Sequence, residues 1–218
     1  MMAVVGSVLV MAFAGVALAA GVIHCSGGRC EGTNRNDTFQ GTNRVDLIIA
    51  KDGEDQVRAL AGADELRGGK GHDELFGNAG DDTYFGGKGS DALWESPRAG
   101  SEPGAEDTGT DVMNGGDGRD RMRGGNEADI LNGEDGSDSM AGSPGNDEIR
   151  GGLGPDEMQG EDDTDKHFGG LGDDFIDAFA GDSPNDPADL VVCGPGTDEA
   201  IVRPNDIVKD SCENVEVR

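Results

Sequence analysis

Fifteen aspartates recur at nine-residue spacing in two runs: Asp37, Asp46, Asp55, Asp64, Asp73, Asp82 and Asp91, then Asp111, Asp120, Asp129, Asp138, Asp147, Asp156, Asp165 and Asp174. They are half of the 30 aspartates in the chain, a regularity that a solvated acidic linker has no reason to keep. The residue two places before each is glycine in eleven of the fifteen copies. A short carboxylate acting from within a glycine-rich turn, beside main-chain carbonyls, is the donor set of a hard, oxygen-seeking cation. Carboxylates also serve as general acids and bases, but no signature of catalysis accompanies them. There is no H-E-x-x-H, no G-x-S-x-G and no Walker loop; Lys88 follows Gly87, yet Asp82 stands where the first loop glycine belongs. An EF-hand would need a glutamate at loop position twelve and flanking helices, and neither is present. The chain reads as non-enzymatic.

The aspartates are position six of a nonapeptide. From Gly32 the copies run GTNRNDTFQ, GTNRVDLII, AKDGEDQVR, ALAGADELR, GGKGHDELF, GNAGDDTYF and GGKGSDALW, ending at Trp94. After an interruption at residues 95–105 the phase resumes with EDTGTDVMN, GGDGRDRMR, GGNEADILN, GEDGSDSMA, GSPGNDEIR, GGLGPDEMQ, GEDDTDKHF and GGLGDDFID, ending at Asp177. Position eight is apolar in fourteen of fifteen copies, His167 being the exception. One apolar residue in nine fits neither a helix face nor a two-residue alternation, and it is the period of a solenoid. The first six residues of each unit form a tight turn with position four at positive φ. The last three form a minimal strand with one side chain inward. The methionines at 113, 122, 140 and 158 occupy that inward position, where an unbranched side chain fills a narrow interior. His72, at position five, faces solvent; it and His167 read as structural. Trp94, last in the first block, reads as a cap on the stack.

GGKGHDELF, GGKGSDALW, GGDGRDRMR, GGLGPDEMQ and GGLGDDFID resemble the RTX (hemolysin-type) calcium-binding nonapeptide, GGxGxDxUx. The resemblance implies an all-β fold, a right-handed parallel β-roll with two nonapeptides per coil. It also implies Ca²⁺ held between the turn of one repeat and the turn two repeats later. On that geometry Asp37, Asp55, Asp73 and Asp91 line one edge and Asp46, Asp64 and Asp82 the other. In the second block Asp120, Asp138, Asp156 and Asp174 face Asp111, Asp129, Asp147 and Asp165. Arg35 and Arg44 at position four depart from the pattern and argue against tight sites at Asp37 and Asp46. Glu127 and Asp163 at the same position imply altered sites at Asp129 and Asp165. Five and six sites fit two separate blocks, and thirteen fit a continuous stack, so about 11–13 calcium ions are expected. The segment at residues 95–105 either loops out of one roll or divides two.

Composition agrees. With 45 acidic and 17 basic residues the net charge is −28, which excludes nucleic acid as a partner. Thirteen divalent ions would reduce that charge to −2, and eleven to −6. Glycine occupies 39 positions, while Leu, Ile, Val and Phe together occupy only 41 of 218, beside one Trp and one Tyr. No thick apolar core can be built from this, so something other than hydrophobic burial must hold the fold.

Residues 1–23 carry no charge, and Ala17-Leu18-Ala19-Ala20 ends an apolar stretch in a small-residue cleavage pattern. Residues 1–20 are read as a secretory signal peptide, with a membrane anchor as the alternative. Cys25 with Cys30 and Cys193 with Cys212 form two local pairs, read as disulfides of an exported protein rather than a zinc site with His24. The tail, from Leu190 to Asp198 and on through Cys212, also resembles the cysteine-bearing ends of small secreted RTX-type proteins from bacteria. The expected organisation is signal segment 1–20, N-terminal cap 21–31, repeat blocks 32–94 and 106–177 around the 95–105 loop, and a disulfide-bearing C-terminal cap 178–218. Function is expected to be extracellular calcium binding. The alternative is a cell-surface adhesin or carbohydrate-binding module, displaying Trp94 or the 95–105 loop to a glycan or surface partner.

Overall fold

The computed structural model describes residues 22–95, 109–179, 187–209 and 212–218. The expected signal segment, and all of the expected insertion loop except Glu95, lie outside the described residues. Strands cover positions seven to nine of the nonapeptides, as in Thr38–Gln40 and Glu157–Gln159. Many continue to position three of the next copy, as in Gln56–Ala61 and Glu65–Lys70. Among the described residues, successive strands alternate between two parallel sheets, one of eleven strands and one of ten. Each strand pairs with the one two nonapeptides away: Val57 opposes Leu75 and Leu66 opposes Tyr84. One coil is thus eighteen residues, and among the described residues there is no helix. At about 4.8 Å between strands, the roll is roughly 50 Å long.

Alternation along each strand sends positions six, eight and one inward. At one strand these are Asp55, Val57 and, at the start of the next copy, Ala59, each no more than 1 % exposed. The interior is therefore a stack of single apolar residues, Phe39, Ile48, Val57 and Leu66 through Met158 and Ile176, with small residues beside them. His167 lies fully buried in this stack, and desolvation holds its pKa down at about 4, so the ring is neutral. His72 is exposed, and its Nδ1 accepts the Ser90 N–H at 2.7 Å.

The roll is continuous across the interruption. Tyr84 opposes Met113 and Leu93 opposes Met122, each 29 residues away, the coil length plus eleven. The eleven-residue interruption therefore leaves the register of the two sheets unshifted. Trp94 consequently does not cap anything. It sits within a sheet, opposed by Phe76 on one side and Arg123 on the other, because position nine faces outward.

Nor do the sheets stop at Asp177. Leu190–Val192 pairs with His167's strand, Glu199–Val202 pairs with Ile176's strand, and Ile207–Lys209 and Asn214–Val217 follow. The segment expected as a cap thus adds two strands to each sheet. Cys25–Cys30 and Cys193–Cys212 are bonded, as the local pairing predicted.

Excising residues 96–106 joins Glu95 to Asp107 and restores the eighteen-residue spacing. The shortened chain is expected to keep its far-ultraviolet β signal and to melt within about 4 °C of the parent, a difference of ~1–2 kcal/mol. Loss of the β signal would show that the two blocks are not one stack.

Candidate metal centre

From the third copy on, most turns before the aspartates are set by left-handed residues at positions two and four. In the first two copies Thr33, Arg35, Thr42 and Arg44 hold these positions and none is left-handed, so the positive φ expected at position four of every copy is absent there. In the copy beginning at Gly68, Gly69 has φ +118° and Gly71 has φ +130°. The bend at position four was legible from its glycines. That at position two was hidden, because Lys51, Leu60, Asn78, Glu134, Ser143 and Glu161 hold it without being glycine. Glu127 and Asp163 likewise adopt φ of +78° and +79° at position four, so those two copies keep the bend, at a cost of roughly 1–2 kcal/mol each. Stacking makes the turns tight: a Cβ on Gly71 would lie 1.6 Å from the Gly53 carbonyl oxygen, and one on Gly69 1.8 Å from that of Lys51. Main-chain carbonyls of one turn therefore point into the turn above.

Between the turns run two files of carboxylates. The N–H of each position-six aspartate donates to Oδ1 of the aspartate two copies on. One file links Asp37, Asp55, Asp73, Asp91, Asp120, Asp138, Asp156 and Asp174 at 2.6–3.0 Å. The other links Asp46, Asp64, Asp82, Asp111, Asp129, Asp147 and Asp165 at 2.7–2.8 Å. Fourteen of the fifteen side chains are at most 3 % exposed, Asp37 being the exception. The structure thus brings all fifteen into two rows. The second oxygen, Oδ2, is buried and accepts no hydrogen bond in Asp55, Asp64, Asp73, Asp82, Asp91, Asp120, Asp138, Asp147, Asp156 and Asp174. It folds back over position one of its own copy: a Cβ on Gly142 would lie 2.1 Å from Asp147 Oδ2. Small residues at position one make room for that carboxylate.

The first two copies are built differently. Asp37 Oδ2 accepts the Thr33 N–H at 2.6 Å and its hydroxyl at 2.9 Å, and Asp46 Oδ2 accepts the Thr42 N–H and hydroxyl at 2.8 and 2.9 Å. One oxygen of each carboxylate is thus satisfied within the turn, while Asp46 Oδ1 stays buried without a hydrogen bond. At the interruption, the hydroxyl of buried Tyr84 reaches Asp111 Oδ2 at 3.5 Å.

Both files run beyond the fifteen. The Asp165 N–H donates to Asp189 Oδ1 and the Asp174 N–H to Asp198 Oδ1, at 2.8 and 2.9 Å. Asp206 and Glu213 then close the two rows. Sequence reading missed Asp189 and Asp198 because the phase slips by six residues after Asp177, and Asp206 and Glu213 because they follow at spacings of 17 and 15 instead of eighteen. The signal was present in Cys193-Gly-Pro-Gly-Thr-Asp-Glu-Ala-Ile, a nonapeptide with cysteine at position one.

The donor set suits a hard cation. Among the described residues no three acidic, histidine or cysteine side chains converge. A site here would combine carboxylate oxygens with main-chain carbonyls, as Ca²⁺ accepts. Without a cation the files are electrostatically costly. Burial raises Asp82 to about 8, opposed by the Asp64 N–H and reinforced by the charges of Asp111, Asp64 and Asp81. Burial likewise raises Asp73, Asp138 and Asp147 to about 7, and Asp64, Asp91, Asp156 and Asp174 to about 6.

Carboxylates raised on folding bind protons more tightly in the folded chain than in the unfolded one. Their contribution to stability is complete below the unfolded value of 3.8 and is lost as pH rises through about 6 to 8. In excess chelator, the chain should therefore show more β signal at about pH 5 than at about pH 8. A stronger signal at the higher pH would contradict this. Gly71→Ala, strained in φ and blocked by the Gly53 carbonyl, should cost about 1–3 kcal/mol. The thermal midpoint should fall by roughly 2–4 °C per kcal/mol, and an unchanged midpoint would show that the turns are looser than described.

No curated protein matches the chain. The profile of the RTX calcium-binding nonapeptide repeat matches it four times, at residues 31–66, 58–93, 107–140 and 141–176. These matches cover more than half of the sequence and coincide with the stacked turns and their carboxylate files. The chain belongs to the RTX calcium-binding nonapeptide-repeat family.

Proposed function

We propose that the protein is an exported calcium-binding roll that folds as it loads. The position-six aspartates supply the carboxylates, and carbonyls of the glycine turns supply the remaining oxygens. The observation that carries this reading is the row of buried Oδ2 atoms without hydrogen-bond partners. An uncompensated buried carboxylate is costly, and a divalent cation between stacked turns removes that cost for two turns at once. Continuous stacking supports thirteen neighbouring pairs among the fifteen copies. The pairs that begin at Asp37 and Asp46 are the weakest, because threonine already occupies those carboxylates.

Binding free energy then acts as folding free energy. Two disulfides suit an oxidising compartment, and modules working outside the cell bind Ca²⁺ at about 10⁻⁴ to 10⁻³ M. Such a chain would stay an unfolded polyanion where calcium is scarce and become a rod where it is plentiful. The role that follows is a calcium-dependent structural or binding element at the cell exterior. An adhesin reading is favoured by one outer stripe, Arg58, Phe76, Trp94 and Arg123 in register on one sheet. Glycan binding abolished by Trp94→Ala would support it.

Calcium titration of the mature chain at neutral pH, followed by circular dichroism and calorimetry, tests the main reading. The β signal should rise cooperatively with calcium and saturate near 11–13 ions, the count set by the stacked copies. A full β signal in excess chelator at neutral pH would overturn the coupling of folding to binding.

A further inference from the structure

The C-terminal segment repeats the geometry of the metal turns beyond the residues that the family profile matches. In Cys193–Asp198, Gly194 takes φ +111°, as Gly152 and Gly170 do at position two of the copies before it, with φ +116° and +107°. Gly196, at position four, sits on the Gly172 carbonyl so closely that a Cβ would lie 1.6 Å from its oxygen, the same distance as for Gly71 on Gly53. The Gly170 N–H donates to the Cys193 carbonyl at 2.9 Å and the Gly172 N–H to the Pro195 carbonyl at 3.1 Å, so this turn stacks on Gly169–Asp174. Asp198 is fully buried. Its Oδ1 accepts the Asp174 N–H, and its Oδ2, like that of Asp174 beneath it, accepts no hydrogen bond.

The two ends of this file are unlike. At the N-terminal end Thr33 satisfies the Asp37 carboxylate, whereas at the C-terminal end no threonine stands at position two, and Gly194 occupies it. What closes the file is Glu213, whose Oε2 accepts the Asp198 N–H at 2.9 Å. Glu213 adjoins Cys212, and Cys212 is bonded to Cys193 at the start of the same turn. The disulfide therefore ties the turn to the residue that closes it, across a separation of nineteen residues.

We propose that the Cys193–Asp198 turn forms a further Ca²⁺ site with the Gly169–Asp174 turn, with Asp198 as its carboxylate, and that the Cys193–Cys212 disulfide holds this site formed. The proposal rests on the calcium reading of the roll. It adds a site in the segment expected to be a passive cap, and it makes the last coil the one position where covalent cross-linking and cation binding act on the same turn.

Calorimetric stoichiometry with Ca²⁺ as the titrant separates the possibilities. Asp198→Asn keeps an oxygen for the Asp174 N–H but removes the charge, so the roll should persist and bind one ion fewer than the parent. Glu157→Gln, at an exposed carboxylate on the outer sheet face and outside both files, should bind the parental number. The double variant Cys193→Ala, Cys212→Ala, with the small residue that positions 50 and 59 already carry, should bind one ion about 10–100-fold more weakly, the scale of losing a positioning partner. A parent that binds no calcium would sink the reading of the whole roll. A parent that binds, with Asp198→Asn binding the same number, would overturn the added site alone. An unchanged titration of the double variant would overturn the role of the disulfide.

Discussion

Everything in this molecule turns on a carboxylate shared between stacked turns. One oxygen of each position-six aspartate accepts the N–H of the aspartate a coil earlier, which fixes the spacing and register of the turns. In ten of the fifteen the other is left buried without a hydrogen bond. The first contact is an ordinary charge-assisted hydrogen bond and stabilises the stack. The second is a desolvated carboxylate oxygen without a hydrogen bond, an arrangement that is costly in itself. The same side chain thus sets the register of the stack and offers an oxygen that suits a cation.

The thin interior follows from the same geometry. Because the aspartate lies at the start of a strand, alternation places the only large apolar residue two positions on and a small residue two positions after that. The small residue is required by the aspartate, whose Oδ2 reaches over it. A bulkier core cannot be accommodated without displacing the carboxylates, so apolar burial is limited to one layer per strand. Methionine, tyrosine and even a neutral histidine are tolerated in that layer, since each coil packs only against its neighbours.

Much of this was legible in the sequence. The phase of the aspartates and the apolar residue at position eight established the solenoid, and the local cysteine pairs matched the bonded ones. Other features required coordinates. Whether residues 95–105 divide the roll depends on pairing between strands on either side, which no local pattern encodes; the opposition of Tyr84 and Met113 decides it. Trp94 looked terminal only because the phase breaks after it. The left-handed residue at position two was masked by Lys51, Leu60 and Glu134, whose strain is held by the stack rather than by their own preference. Asp189 and Asp198 were obscured by a six-residue slip, although the Cys193–Asp198 segment keeps glycine at positions two and four.

Alternate strands belong to opposite sheets, and the interior treats the two sheets alike. A nonapeptide gained or lost by duplication would therefore disturb the core very little, yet it would carry every residue downstream to the other face of the rod. Paired duplications would lengthen the rod and leave its two faces as they were. In such an architecture the parity of the copy number, rather than the copy number itself, decides which outward side chains share a surface.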